Sequence, residues 1–142
     1  MHATNSMTLS LIQPIIYQEP PFVYEGSAEA YQSALTYLDG AEVGTEVVIA
    51  LTSTSRLLFV GAKGAPTPEE RDAIERGEEL PPIDGPYALE AGRYAFTQLA
   101  PPPSLDPIIS LKRIAIDGPS RVYVRLLKES PLAIIAQVWI AL

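Results

Sequence analysis

The chain of 142 residues has no cysteine and a single histidine. Without cysteine there is no disulfide framework, no thiolate nucleophile and no thiolate metal site. The one histidine, His2, stands in a polar leader (residues 1–7, with Met7 as a candidate start), and chain ends are seldom tied down. With no histidine placed elsewhere, Ser-His nucleophilic chemistry and histidine-rich zinc sites are excluded as well. The first ten residues hold no lysine or arginine, so they do not read as a secretory signal. The most apolar run, residues 132–142, is shorter than the ~20 residues of a membrane span and is interrupted by Gln137. Gly61-Ala62-Lys63-Gly64 lacks both the glycine spacing and the Ser/Thr of a phosphate-binding loop. These absences predict a cytoplasmic protein with no cofactor, no metal and no membrane partner.

Charge of one sign is also scarce where a nucleic-acid partner would need it. The net charge is −7. Residues 1–90 carry fourteen acidic and four basic side chains, and residues 91–142 carry three and six. An acidic chain without a basic stripe is a poor nucleic-acid binder. The late cluster Arg93, Lys112, Arg113, Arg121, Arg125 and Lys128 reads as a solvated face. What the chain does have is apolar content: 47% hydrophobic against 19% charged residues is a globular composition. Its fourteen prolines fall between apolar runs, where they punctuate elements.

The elements follow in order. Residues 9–17 predict a strand, with Pro14 arguing for an edge position or a bulge. Ser27 is the candidate N-cap of a helix through Leu38, on which Tyr31, Ala34, Leu35 and Leu38 form an apolar stripe. Asp39-Gly40 ends it. Residues 45–52 and 56–60 predict a hairpin around Thr52-Ser53-Thr54-Ser55. Thr67-Pro68-Glu69-Glu70 is a capping box for a short polar helix within the 65–86 connector. Residues 87–98 predict a strand kinked at Gly92. Asp106-Pro107 opens a helix to about Ile116. Residues 121–128 and 132–142 predict a closing hairpin.

The order is strand, helix, hairpin, connector, strand, helix, hairpin. Repeat one spans 8–64, the connector 65–86 and repeat two 87–142, all within one domain over 8–142. The fold class predicted is α+β: two tandem βαββ repeats in an antiparallel sheet, with both helices on one face and a groove on the other. Glu90-Ala91-Gly92-Arg93-Tyr94-Ala95-Phe96 resembles the Gly-x-Tyr-Ala signature that opens the second repeat of the GyrI-like family, built from a duplicated SHS2-type module. The terminal Ala136-Gln137-Val138-Trp139-Ile140 resembles that family's closing strand. The resemblance implies a ligand-binding groove lined by aromatics, often with a glutamate on a late strand. Here Gln137 stands near that position.

Side-chain alternation puts Tyr94, Phe96 and Gln98 on one face, Arg121, Tyr123 and Arg125 on one face, and Gln137 with Trp139. Aromatic area beside a few hydrogen-bonding groups suits a small-molecule pocket, so Tyr94, Phe96, Tyr123, Gln137 and Trp139 are the candidate ligand-binding residues. The same rings also suit plain sheet packing. Glu19, Glu46, Glu90 and Glu129 lie in or beside strands, where carboxylates are mostly solvated, and none is assigned a catalytic role. The function predicted is non-enzymatic binding of a small amphipathic or aromatic molecule. Two alternatives stand beside it. One is a gyrase-inhibitor-like module that meets a protein partner through an acidic surface such as residues 68–84. The other is a small-molecule hydrolase using a glutamate and a tyrosine.

Overall fold

The computed structural model describes residues 8–52, 56–65, 67–78, 85–99 and 121–141. Within them the chain is α+β and almost wholly antiparallel. The strands are β1 (Thr8–Ile12), β2 (Ile15–Tyr17), β3 (Glu46–Leu51), β4 (Leu57–Lys63), β5 (Tyr87–Leu89), β6 (Gly92–Leu99), β7 (Val122–Ser130) and β8 (Ala133–Ala141). The helices are α1 (Ser27–Asp39) and α2 (Pro68–Glu75). Six strands form one sheet in the order β1-β6-β8-β7-β3-β4, and β2 pairs with β5 in a second. The helix predicted over 106–116 lies outside the described residues. Among those described, no helix is long and apolar enough to cross a membrane.

The stripe predicted on α1 packs as expected. Ala30, Tyr31, Ala34 and Leu38 are buried against Val47, Ile49 and Leu51 of β3, Val122, Val124 and Leu126 of β7, and Ala136 and Val138 of β8. These are alternate residues of each strand, so they belong to one sheet face. The N-cap is Gly26 and not Ser27, which is already helical. Gly26 offers only its carbonyl, which accepts from the Ala30 N–H at 2.8 Å. The C-cap is Gly40, as expected. The capping box of α2 is complete: Thr67 Oγ1 accepts from the Glu70 N–H at 3.1 Å, and Glu70 Oε1 accepts from the Thr67 N–H at 3.2 Å. That helix buries none of its residues.

The opposite face is covered by a two-stranded ribbon, where an open groove was expected. The first predicted strand breaks at Gln13-Pro14 into β1 and β2, and the kinked one breaks at Glu90-Ala91 into β5 and β6. Register runs straight across the gap: Ile12 opposes Gly92, and Ile15 opposes Leu89. Both strands are therefore interrupted at one level. Beyond it, the ribbon of β2 and β5 lies over the sheet and meets β4 at the far edge. There Gln18 and Ala62 exchange two backbone hydrogen bonds of 2.8 Å. Tyr17 and Leu89 of the ribbon join Val48, Ala50, Tyr94, Tyr123 and Trp139 in a second buried cluster.

Candidate functional site

Strand register assembles this second face. Ala50, Tyr123, Trp139 and Phe96 oppose one another across β3, β7, β8 and β6. The next row of the same face reads Val48, Arg125, Gln137 and Gln98. One row is thus aromatic and its neighbour polar. All five candidate residues, Tyr94, Phe96, Tyr123, Gln137 and Trp139, come together here. Phe96 and Trp139 stack with centroids 4.3 Å apart at 8°. Tyr94 meets Trp139 edge-on at 5.8 Å and Tyr123 edge-on at 6.0 Å.

These rings do not line an open groove. Tyr94, Tyr123 and Trp139 are 3%, 1% and 5% exposed, with Phe96 and Gln137 half-buried. The physical reason is the ribbon, whose Tyr87 also stacks on Phe59 of β4 at 4.9 Å and 7°. Gln137 is engaged by its own face, since its Oε1 accepts from Trp139 Nε1–H at 2.9 Å. Tyr94 donates to the Glu90 carbonyl at 2.7 Å. Burial, then the neighbouring Tyr123 and Glu90, push the Tyr94 phenol up to about 12.

The residues that give the face its polarity are different ones. Glu46 is only 7% exposed, against the expectation of a solvated strand-end carboxylate. Arg125 grips it with both ends of the guanidinium: Nη2 donates to Oε1 at 2.9 Å and Nε donates to Oε2 at 3.0 Å. Such a fork-to-carboxylate match is the strong form of the ion pair. The Tyr17 hydroxyl, carried in by the ribbon and fully buried, also donates to Glu46 Oε2. Arg125 lies over the Trp139 ring at 4.8 Å, which joins the ion pair to the aromatic row. Burial and the Glu46 carboxylate push the Tyr17 phenol far above the ordinary tyrosine range, although the Arg125 guanidinium pulls it down. Burial by itself would lower Arg125, but hydrogen bonding and charge from Glu46 outweigh it and hold Arg125 above its usual value.

Of the other glutamates singled out, Glu19, Glu90 and Glu129 are exposed. The basic cluster also divides. Arg93 and Arg121 are exposed, Arg125 is spent on Glu46, and Lys112 and Arg113 lie outside the described residues. Lys128 is 3% exposed and donates to the Asp39 carbonyl at 2.9 Å, so it closes the C-terminus of α1. It borders a cleft of about 410 Å³ between α1 and the β7–β8 turn. Its ammonium is already engaged there by the carbonyl end of the helix, which disfavours an anionic ligand.

Among the described residues, no group of three or more His, Asp or Glu side chains is placed to hold a metal ion. No family model matches the chain, and no curated protein or solved structure matches it either. One signal in the sequence marks the ion pair. Glu46 opens the apolar run Val47-Val48-Ile49-Ala50-Leu51, and Arg125 interrupts the apolar run from Val122 to Leu127. Single charges of opposite sign in two otherwise apolar runs point to a buried pair.

Proposed function

We propose that this chain is a non-enzymatic binding module for a small planar or amphipathic molecule, and that its site is the sheet face beneath the ribbon. The observation that carries the reading is the coupling of Glu46, Arg125 and Trp139 on one face. An ion pair this buried is a poor way to hold a fold together, because well-packed apolar residues of like volume do as well or better. Kept beside a row of rings, it supplies what a small-molecule site needs: apolar area for affinity and a few fixed polar groups for orientation. The finer architecture belongs to the same proposal. Two βαββ repeats would explain why the hairpins β3–β4 and β7–β8 lie side by side and why the two repeats' first strands pair, in keeping with the GyrI-like resemblance. A groove would then be the ribbon-covered face in an opened form.

Trp139 is the chain's only tryptophan, so its fluorescence reports on this face alone. A thermal-shift screen of planar aromatic and cationic compounds, followed by titration of the Trp139 emission, tests the reading. Saturable quenching with a parallel rise in melting temperature is expected. Binding that survives Arg125→Met unchanged would sink it.

The Tyr17–Glu46 hydrogen bond favours one second reading, a hydrolase in which these two handle protons. The geometry weighs against it. Both Glu46 oxygens already accept from Arg125, and one of them accepts from Tyr17 as well. A general base needs a carboxylate oxygen directed at the substrate. Turnover of an ester or epoxide panel, abolished by Glu46→Gln, would decide for the hydrolase.

A further inference from the structure

We infer that Tyr17 is an internal occupant of this site, that the β2–β5 ribbon is the lid carrying it, and that the ligand replacing it is a phenol. The inference rests on the binding reading only for its last part.

The hinge is written into both strands. Pro14 has no N–H to give a ladder, and its neighbour Gln13 lies with it in the gap between β1 and β2. Across from them the gap at Glu90-Ala91 ends on Gly92, whose φ of +152° suits a residue without a Cβ. Because both strands are unpaired at one level and register is kept on either side, the ribbon bends there without breaking a ladder hydrogen bond. Beyond the hinge the ribbon is held by the Gln18–Ala62 pair, the Tyr17 hydroxyl on Glu46, the Tyr87–Phe59 stack and the burial of Tyr17 and Leu89, with no continuous ladder to the main sheet among the described residues.

The slot is shaped to Tyr17. A Cβ on Gly61 would stand 2.5 Å from Tyr17 Cβ and 3.2 Å from its Cγ, so the glycine provides a notch for the ring's stem, with Val48 beside it. At the ring's other end, the Glu46 carboxylate takes the hydroxyl proton in a hydrogen bond while Arg125 balances its charge. Lifting the ribbon leaves an apolar slot that ends in a held carboxylate acceptor. A planar ring with one O–H donor repeats the contacts that the Tyr17 ring and hydroxyl make with the notch at Gly61, Val48 and Glu46. A ring without the hydroxyl forfeits the hydrogen bond and leaves the acceptor short, and sites built on such a bond discriminate strongly.

The chain has no cysteine, so Gln18→Cys/Ala62→Cys introduces a single possible disulfide. A hydrogen-bonded antiparallel pair sets its Cα atoms about 5.5 Å apart, inside the disulfide range. Two measurements need no ligand: amide exchange over residues 15–18 and 87–89, and acrylamide quenching of Trp139. In the reduced protein the ribbon amides should exchange at least about tenfold faster than those of β3 and β7, and oxidation should remove that difference and cut the quenching. The probes are 4-methylphenol, which is the tyrosine side chain itself, and toluene. The reduced protein should bind 4-methylphenol and not toluene, the oxidised form neither, and Tyr17→Ala should bind 4-methylphenol about tenfold or more tighter than wild type, since the internal competitor is gone. Should the disulfide variant fail to fold, Tyr17→Phe frees the latch and should speed ribbon exchange several-fold in its place. Ribbon amides as slow as those of β3 in the reduced form, or in Tyr17→Phe, would overturn the lid whatever else binds. A ribbon that opens while Tyr17→Ala ignores 4-methylphenol would overturn the internal occupant. Other panel compounds quenching Trp139 would then leave the binding reading standing, and none doing so would remove it too.

Discussion

Removing Arg125 tests whether the Glu46–Arg125 pair behaves as a buried one. The side chains of Arg125 and Glu46 are 17% and 10% exposed, so neither is a surface group. Arg125→Met keeps the length of the stem and removes the charge, leaving Glu46 buried with the Tyr17 hydroxyl as its remaining donor. Stripping one partner from a buried pair costs about 3–5 kcal/mol, chiefly because the other charge is left unanswered. Tyr17 offsets part of this, so about 3 kcal/mol is the expectation, with the lost stacking of Arg125 on Trp139 adding about 0.5–1 kcal/mol. In a domain of this size each kcal/mol moves the melting temperature by about 2–4 °C, so the combined loss of about 3.5–4 kcal/mol should lower it by about 7–16 °C. Removing the network as a unit should behave differently. Tyr17→Phe/Glu46→Met/Arg125→Met leaves no buried charge and no stranded hydroxyl, and its stability should return to within about 1 kcal/mol of wild type. Urea denaturation followed by Trp139 fluorescence and circular dichroism measures both variants. A loss below about 1 kcal/mol for Arg125→Met would mean that the pair acts as a solvated one, and the argument for a buried polar site would fail. If the triple variant folds well and still binds its ligand, the network is not the site.

Three further outcomes are expected. Gly61→Ala should cost about 1–3 kcal/mol by overpacking against Tyr17, and most of that cost should vanish in a Tyr17→Ala background, as a double-mutant cycle would read. Ultraviolet titration should find Tyr17, Tyr24 and Tyr94 ionising above the ordinary phenol range near pH 10, with Tyr94 at about 12. Their folded values are raised, so the stability they contribute is complete below pH 10 and drains away as pH rises through those folded values. Thermal melts that are flat between pH 9 and 12 would contradict it. Thr67→Ala should loosen α2 by about 0.5–2 kcal/mol in amide exchange yet leave the global melting temperature unchanged, because that helix buries nothing.

Local chemistry made many of the elements legible. The Tyr31-Ala34-Leu38 stripe, the Thr67–Glu70 capping box and the kink at Gly92 each depend on residues within a turn or two of one another. Ser27 misled because a good capping residue sits directly after Gly26, and the chain turned into the helix one residue earlier. Glu46 and Arg125 are 79 positions apart, and only the pairing of β3 with β7 brings them together. Which residues of each strand share a face was legible because alternation is local, whereas the alignment of Phe96, Trp139 and Tyr123 in one row depends on register between strands. Their burial was not locally legible, because it depends on where a distant strand pair lands.

That burial was nevertheless implied by the strands themselves. All six residues of β3 are buried, and they are apolar after Glu46 on both faces of the sheet. A strand with one wet face alternates polar and apolar residues, whereas one covered on both sides reads as a continuous apolar run. The run Val47-Val48-Ile49-Ala50-Leu51 is of the second kind, so α1 can account for only half of it: Val47, Ile49 and Leu51. Val48 and Ala50 require a second cover, and among the described residues the ribbon bearing Tyr17 and Leu89 supplies it. The centre of this sheet is therefore covered on both faces in the structure described. On the lid proposal, a molecule that reaches this face would do so by displacing the ribbon, and its affinity would be the difference between its own contacts and those that Tyr17 gives up.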